Sequence, residues 1–289
     1  MITRFDHSVI AVRDLEEAIQ LYTALGFEVK PGGRHNVGTY NALIRFGLDY
    51  LELLSVFDVQ LAYRSEFAGR TLLDFFSKRE GGLVGYALAT SDIQQEAGQF
   101  QEGPLETVPF PMQRKRPDGN LLTWRLLVPG NVSWRRPWPF LIQWDVPDEK
   151  RLAWEGVGTH ANGVTGWRGI AVAVHDLEQT IKLYTASLGL RLHSRDEALH
   201  FSARRATFQL GPYHIELLEP VGEGPVQRML TEIGEGPFEI TLISKDLLQT
   251  RNYLAQAGIA VETHPGNADR LLLPVQQTFG ARIALTQQG

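Results

Sequence analysis

Short apolar runs alternate along this chain with stretches in which apolar residues return every three or four positions. "HSVIAV" (7–12) and "GIAVAV" (169–174) are β-branched runs of strand type, each with at least one buried face. Behind each comes a helical stripe: Leu15, Ala18, Ile19 and Tyr22 in the first, Leu177, Ile181 and Tyr184 in the second. Asp14 and Asp176 sit where N-caps belong, with Glu17 and Gln179 three residues on to complete capping boxes. Gly26 and Gly189 stand where helices end on a left-handed residue. The two stretches are copies: residues 11–24 and 173–186 agree at ten of fourteen positions, with an offset of 162. Such a repeat sets the fold before any single motif does.

Strand-like runs follow each helix: "FEVK", "NALIRFG" and "YLELLSV" in the first copy, "LRLHS", "ATFQLG" and "YHIELLEP" in the second. Two weaker copies are "GLVGYALATSDIQQEAGQF" (82–100), capped by Ser91-Asp92, and "PFEITLISKDLLQTRNYLAQAGI" (237–259), with Asp246 and Gly258. "LLTWRLL" and "PFLIQWD" follow the one, "RLLLPV" and "RIALT" the other. The expected fold class is α+β: four β-α-β-β-β modules in two pairs, each pair a curled mixed-sheet half-barrel with its helices outside. The second face of such a sheet must be buried against a partner or shaped into a cleft. An N-terminal domain is expected at 1–147 (modules 1–57 and 81–147), a linker at 148–166, and a C-terminal domain at 167–289 (modules 167–220 and 236–289).

A length of 289 residues suits two such domains, and 43% hydrophobic with 21% charged residues suits a globular chain with a sizeable core. The net charge of −5 argues against a general nucleic-acid or anionic-membrane binder. There is no cysteine, which excludes disulfides, zinc–thiolate sites, iron–sulfur clusters and a cysteine nucleophile. The opening "MITRFDHSVIAV" is too short and polar for a secretion signal, and no apolar run approaches membrane-spanning length. A cytoplasmic address is expected.

Asp6-His7, Gly32-Gly33-Arg34-His35, Gly38-Thr39-Tyr40-Asn41 and Tyr50-Leu51-Glu52-Leu53 follow one another in the first module. "RPDGNLLTWRL" (116–126), "PFLIQW" (139–144) and "HANG" (160–163) come later. In this order the motifs resemble the glyoxalase-like branch of the vicinal-oxygen-chelate superfamily, the group of glyoxalase I, fosfomycin- and bleomycin-resistance proteins and extradiol dioxygenases. The resemblance covers essentially the whole chain and implies the paired-module fold more than any one activity. In that superfamily metal ligands come from strands one and four of each module. The register then offers His7, Gly85, Gly169 and Glu239 on strand one, and Glu52, Gln143, Glu216 and an apolar residue near Ile283 on strand four.

The first pair therefore holds a candidate metal set, His7, Glu52 and Gln143, for Zn²⁺, Ni²⁺, Mn²⁺ or Fe²⁺, which would polarise vicinal substrate oxygens as a Lewis acid. The competing reading is a metal-free pocket in which His7 and Glu52 hydrogen-bond each other across the sheet. The second pair has two carboxylates, Glu216 and Glu239, suited to sharing a proton or meeting an amine. It lacks the strand-one histidines that an extradiol dioxygenase needs, so that activity is excluded.

Glu52 and His35 are the candidate catalytic groups; Thr39, Asn41, Trp124 and Arg116 are candidate substrate contacts. His35, Thr39 and Asn41 lie in the glycine-rich "GGRHNVGTYN", which reads either as a connection lining the mouth of the cleft or as turn chemistry. All six tryptophans fall between 124 and 167, as an aromatic wall or as packing between the halves. Strand alternation puts Trp144 on the face opposite Gln143, which favours Trp124 for the cleft. "QRKRPDG" reads as a solvated hairpin and His160 as a structural linker residue, while His175, His193, His200, His214 and His264 show no site-like spacing. Two functions compete: a metal-dependent lyase or isomerase acting on a small oxygenated substrate, and a metal-free binding or sequestering protein of the bleomycin-resistance kind. The C-terminal pair is either a cover for the first or a homodimer contact.

Overall fold

Four aspartates start the four module helices. Asp14, Asp92, Asp176 and Asp246 each take extended backbone and accept a hydrogen bond from an amide in the first helical turn. A computed structural model describes all residues except 66–68, 102–104, 117, 131, 264–266, 268 and 288–289. The first module is β1 (Ile2–Val12), α1 (Leu15–Ala24), β2 (Lys30–His35), β3 (Thr39–Arg45) and β4 (Tyr50–Val56). Helices α2 (Val59–Arg64) and α3 (Gly69–Phe76) lead to the second: β5 (Gly81–Thr90), α4 (Ile93–Ala97), β6 (Phe110–Lys115), β7 (Leu121–Leu127) and β8 (Phe140–Trp144). Helix α5 (Asp148–Glu155) precedes the third: β9 (Val164–Ala173), α6 (Leu177–Ala186), β10 (Leu192–Ala198), β11 (Ala203–Leu210) and β12 (Tyr213–Pro220). Helix α7 (Pro225–Glu232) precedes the fourth: β13 (Gly236–Ser244), α8 (Leu247–Gln256), β14 (Glu262–Thr263), β15 (Arg270–Leu272) and β16 (Ile283–Gln287).

Two local expectations change. "FEVK" is mostly helix exit, with the Phe27 amide bonded back to Tyr22 O, and the strand begins at Lys30. The "GGRH" run belongs to that strand rather than to a connection. Strand β6, hidden in "FPMQRK", also stands where a solvated hairpin was expected; the turn itself falls after Lys115.

The first and second modules join through antiparallel β1 and β5, and their eight strands close into a barrel in the order β1-β4-β3-β2-β6-β7-β8-β5. Closure rests on a short seam, Arg34 opposite Lys115 and His35 opposite Arg114. Gly33 makes it possible: its φ is +145°, and a Cβ there would lie 2.2 Å from the Lys115 carbonyl oxygen. The third and fourth modules form an eight-stranded sheet, order β10-β11-β12-β9-β13-β16-β15-β14, that stays open. Its outer strand β10 carries Arg195, Asp196 and Glu197, and β14 spans two residues. Charged and short edges are how open sheets avoid further pairing. Among the described residues no helix is long and apolar enough to cross a membrane.

The halves share one apolar core, in which Phe5 stacks on Trp167 at 4.4 Å. The duplicated helix fastens them twice. Buried Tyr22 of α1 donates its hydroxyl to Thr278 O in the fourth module, 3.2 Å away, and buried Tyr184 of α6 donates to Pro137 O in the second, at 2.7 Å. "HANG" completes the seam, because Asn162 donates to Leu25 O at the end of α1. Gly26 lies there at φ +86°, and a Cβ on it would come within 2.5 Å of the Tyr253 ring and 2.9 Å of the Asn162 amide. We expect Gly26→Ala to cost about 2–3 kcal/mol, from strain and the displaced seam together, measured as a lower midpoint in urea unfolding.

Candidate functional site

Inside the barrel, alternation sends His7 and Val9 of β1, Tyr50 and Glu52 of β4, Thr39 and Asn41 of β3 and His35 of β2 toward one cavity. With its open mouth the space measures about 700 Å³. Trp124, Trp134, Trp144, Phe140 and Met112 give it an apolar wall.

A connected polar cluster occupies one side. The buried Asp6 carboxylate accepts from His7 Nδ1 at 2.7 Å, from Arg4 at 2.8 Å and from Trp144 Nε1 at 3.0 Å. Burial alone would push Asp6 up, but the Arg4 guanidinium, the His7 hydrogen bond and the Arg151 charge outweigh it and hold the carboxyl well below the usual range. An ionised Asp6 assigns the proton of His7 to Nδ1 and turns Nε2 into the cavity, 3.6 Å from Glu52 Oε2. The His7 ring is stacked on Tyr50 at 4.6 Å. Asn41 Nδ2 donates to Glu52 Oε1 at 2.5 Å and lies 3.5 Å from His35 Nε2. His35 Nδ1 meets Thr39 Oγ1 at 2.8 Å. Burial pushes His35 down to about 4, against the pull of Glu52 and with Arg114 adding to the drop. A Cβ on Gly32 would fall 2.0 Å from Asn41 Oδ1, so the glycine leaves room for this bridge.

Four expected site residues (His35, Thr39, Asn41 and Glu52) thus come together with His7, and Trp124 lines the same space. Gln143 does not. Its Oε1 accepts from the Ile93 amide at 2.9 Å and its Nε2 donates to Ser91 O at 3.0 Å, outside the barrel at the start of α4. Gln287 does the same for α8, so this glutamine is a repeated fold feature. Strand pairing corrects the register. Val9 and Ala87 each lie five residues before their capping aspartates, and Val9 pairs with Glu52 while Ala87 pairs with Phe140. Phe140 is therefore the counterpart of Glu52. By the same pairing, Ala171 meets Glu216 and Thr241 meets Ala284. With Gln143 facing out, Trp144 faces in and packs on Trp124 at 5.1 Å.

Arg116 also lies elsewhere, on Asp118 and Trp154 O at the surface. Its neighbour but one, Arg114, points inward and is paired with Glu155 at 2.7 Å. Trp138 and Trp167 pack in the core, and Trp154 sits half-exposed on α5. His160 is structural, bridging the Glu28 amide and Arg45 O; His264 falls outside the described residues. Sequence reasoning missed Asp6 as the His7 anchor, Arg136 and Tyr50. The repeat itself held one usable signal, the glutamine shared by strands β8 and β16.

The second module's strand-one position, Gly85, carries no side chain because Trp134 lies over it, 3.1 Å from where a Cβ would be. A first-row cation would thus meet His7 and Glu52 on one side and Phe140, Ile142 and Trp134 on the other. Among the described residues, no group of three His, Cys, Asp or Glu side chains is placed to hold a metal ion. The donor set does not fit the three-ligand centre expected of the superfamily.

Comparison with known families agrees with this architecture. Residues 5–172 match the glyoxalase-like domain, and residues 169–272 match the glyoxalase/bleomycin resistance protein/dioxygenase superfamily. The chain belongs to the glyoxalase-like domain family, within the vicinal-oxygen-chelate superfamily. Among solved structures it is similar to a hypothetical protein from Staphylococcus aureus (16% identity, TM-score 0.68, 98% of this chain and 99% of that one). It is likewise similar to a variant of 4-hydroxymandelate synthase from Streptomyces coelicolor (15% identity, TM-score 0.67, 99% and 92%). Methylmalonyl-CoA epimerase from Mycobacterium tuberculosis matches less of it (22% identity, TM-score 0.42, 45% and 93%). At these identities the likeness is one of fold. No curated protein matches the chain.

His35 gives the site a pH signature. Its folded value of about 4 lies below the ordinary 6.5, so the unfolded chain takes up the proton first. Its contribution is complete above about pH 6.5 and is lost as the pH falls toward 4. We expect His35→Gln to flatten the stability-against-pH curve in that window, by up to about 1.4 kcal/mol per pH unit. Urea unfolding of both proteins between those limits would measure it.

Proposed function

We propose that the N-terminal barrel binds a small oxygenated molecule through protein side chains alone, in the manner of a metal-free glyoxalase-like binding protein. The observation that carries this reading is the facing pair His7 Nε2 and Glu52 Oε2, buried and 3.6 Å apart at the wall of the cavity. With Nδ1–H given to Asp6, the His7 ring presents Nε2 toward a carboxylate oxygen. A ligand O–H placed between them satisfies one acceptor directly and leaves the other within reach. Asn41 fixes the rotation of Glu52, and Asp6 fixes that of His7, so both atoms are held ready before binding. The apolar body of the ligand packs against Trp124, Met112 and Phe140.

The chemistry available is proton transfer. Glu52 is the base within this cluster, His7 its neighbour for taking up or returning a proton, and neutral His35 a hydrogen-bonding partner through Asn41. Thr39 orients His35 and lines the cavity beside it. Arg116, Trp154 and Gln143 have no part in this reading.

Elemental analysis and thermal-shift screening of the purified protein test it. We expect transition metals at trace level, and stabilisation by one or more neutral hydroxy-compounds that is weakened about tenfold in affinity in Glu52→Gln. Stoichiometric metal that disappears in His7→Ala would favour the metal-dependent lyase or isomerase instead.

A further inference from the structure

We propose that the ligand of this barrel is a small organic monocarboxylate, held by its acid group on Arg136 in the cavity that Glu52 also lines. The inference rests on the preceding reading of the barrel as a ligand site and adds the chemical class.

The buried arginines of the N-terminal half differ in one respect. Arg45 and Arg114 each pair with Glu155, Arg151 lies between Glu155 and Asp6, and Arg4 holds Asp6 and Asp148. Arg135 has no carboxylate, but both of its terminal nitrogens are taken up by the Leu83, Pro237 and Gly234 carbonyls. Arg136 is 4% exposed and lines the cavity. Its Nε donates to Trp138 O and its Nη1 to Val132 O, both neutral acceptors. Among the described residues no carboxylate lies within ion-pair distance of it, and Nη2 is left without a protein partner.

Removing a guanidinium from water without a counter-charge costs several kcal/mol. Burial accordingly pushes Arg136 down to about 9, with only the Tyr86 and Tyr184 hydroxyls acting against it. A carboxylate is the planar, two-oxygen anion that a guanidinium edge accepts. Buried Ser133 lines the same cavity and offers a further donor, and the guanidinium carbon lies 5.8 Å from the Phe140 ring centre.

The position of Glu52 decides the orientation. The Phe140 ring borders both polar groups, 5.4 Å from the His7 ring and 5.8 Å from the Arg136 guanidinium. A ligand carboxylate beside Glu52 would face like charge, whereas at Arg136 it supplies the missing counter-charge. The carbon body then lies over Phe140 with the oxygen function of the other end at His7 and Glu52.

The test uses the full-length protein and matched acid–amide pairs: benzoate, phenylacetate, 3-phenylpropionate and isovalerate, each against its own amide, read by thermal shift and calorimetry. The expected result is that at least one acid binds about tenfold tighter than its amide. That preference should vanish in Arg136→Met, with the acid losing more affinity than its amide, and return in part in Arg136→Lys. Amides that bind as well as acids in the unmutated protein overturn the proposal whether or not the variants fold, as does an acid preference that survives Arg136→Met. If the neutral compounds of the earlier screen bind and no acid does, the carboxylate inference falls alone. If nothing binds in either screen, the reading of the barrel as a ligand site falls, and this inference with it.

Discussion

The shape of the site depends on how the segment before β8 is held between the two halves. Tyr184, on the helix of the third module, donates to Pro137 O, and Arg135 reaches the Pro237 and Gly234 carbonyls of the fourth. These buried bonds are costly to leave unmade, so the segment is fixed wherever the halves are docked. One consequence is Trp134 lying over Gly85, which puts an indole where a paired module would otherwise present a strand-one side chain. Another is the direction of Arg136, turned inward as Arg135 turns outward. Among the described residues the C-terminal half adds none to the cavity lining, yet it positions the wall that gives the cavity its character.

On the opposite wall, charge does the positioning. Asp6 and Glu155 each gather several cationic groups, and Arg151, fully buried, stacks on Trp144 at 3.7 Å between them. Buried ion pairs contribute little net stability, because desolvation offsets most of the attraction. Their effect here is on geometry. The network ties α5 to the barrel, and through Asp6 it fixes the tautomer and ring plane of His7. A ligand entering the barrel would thus meet side chains already oriented, with little entropy left to lose on binding.

The closed first pair and the open second pair show how one module plan yields two outcomes. Both have β-α-β-β-β order, and both pair their first strands antiparallel at the centre. Closure needs a strand that can approach its neighbour closely, which Gly33 permits opposite Lys115. Where charged β10 and short β14 form the edges instead, the sheet stays open and carries paired charges, with Glu216 held by Arg205 and buried Glu239 by Arg270 and Arg282.

Periodicity alone determined the modules, their capping aspartates and terminal glycines, and the buried stripe of the repeated helix, because these follow from interactions within a few residues. The motif order was enough to place the family, and His7 with Glu52 in one cleft. Tertiary structure decided everything that rests on strand pairing. A shift of three residues in the parallel register put Phe140 in place of Gln143 and exchanged the faces of Gln143 and Trp144, since side chains alternate across a strand. It also decided which of several arginines would be buried without a counter-charge. Sequence records that Arg114, Arg116 and Arg136 exist, but the fold decides that Arg114 meets Glu155 of helix α5 while Arg136 finds only the Trp138 and Val132 carbonyls. For that reason the scaffold was legible in the repeat, and the charge balance of the cavity was not.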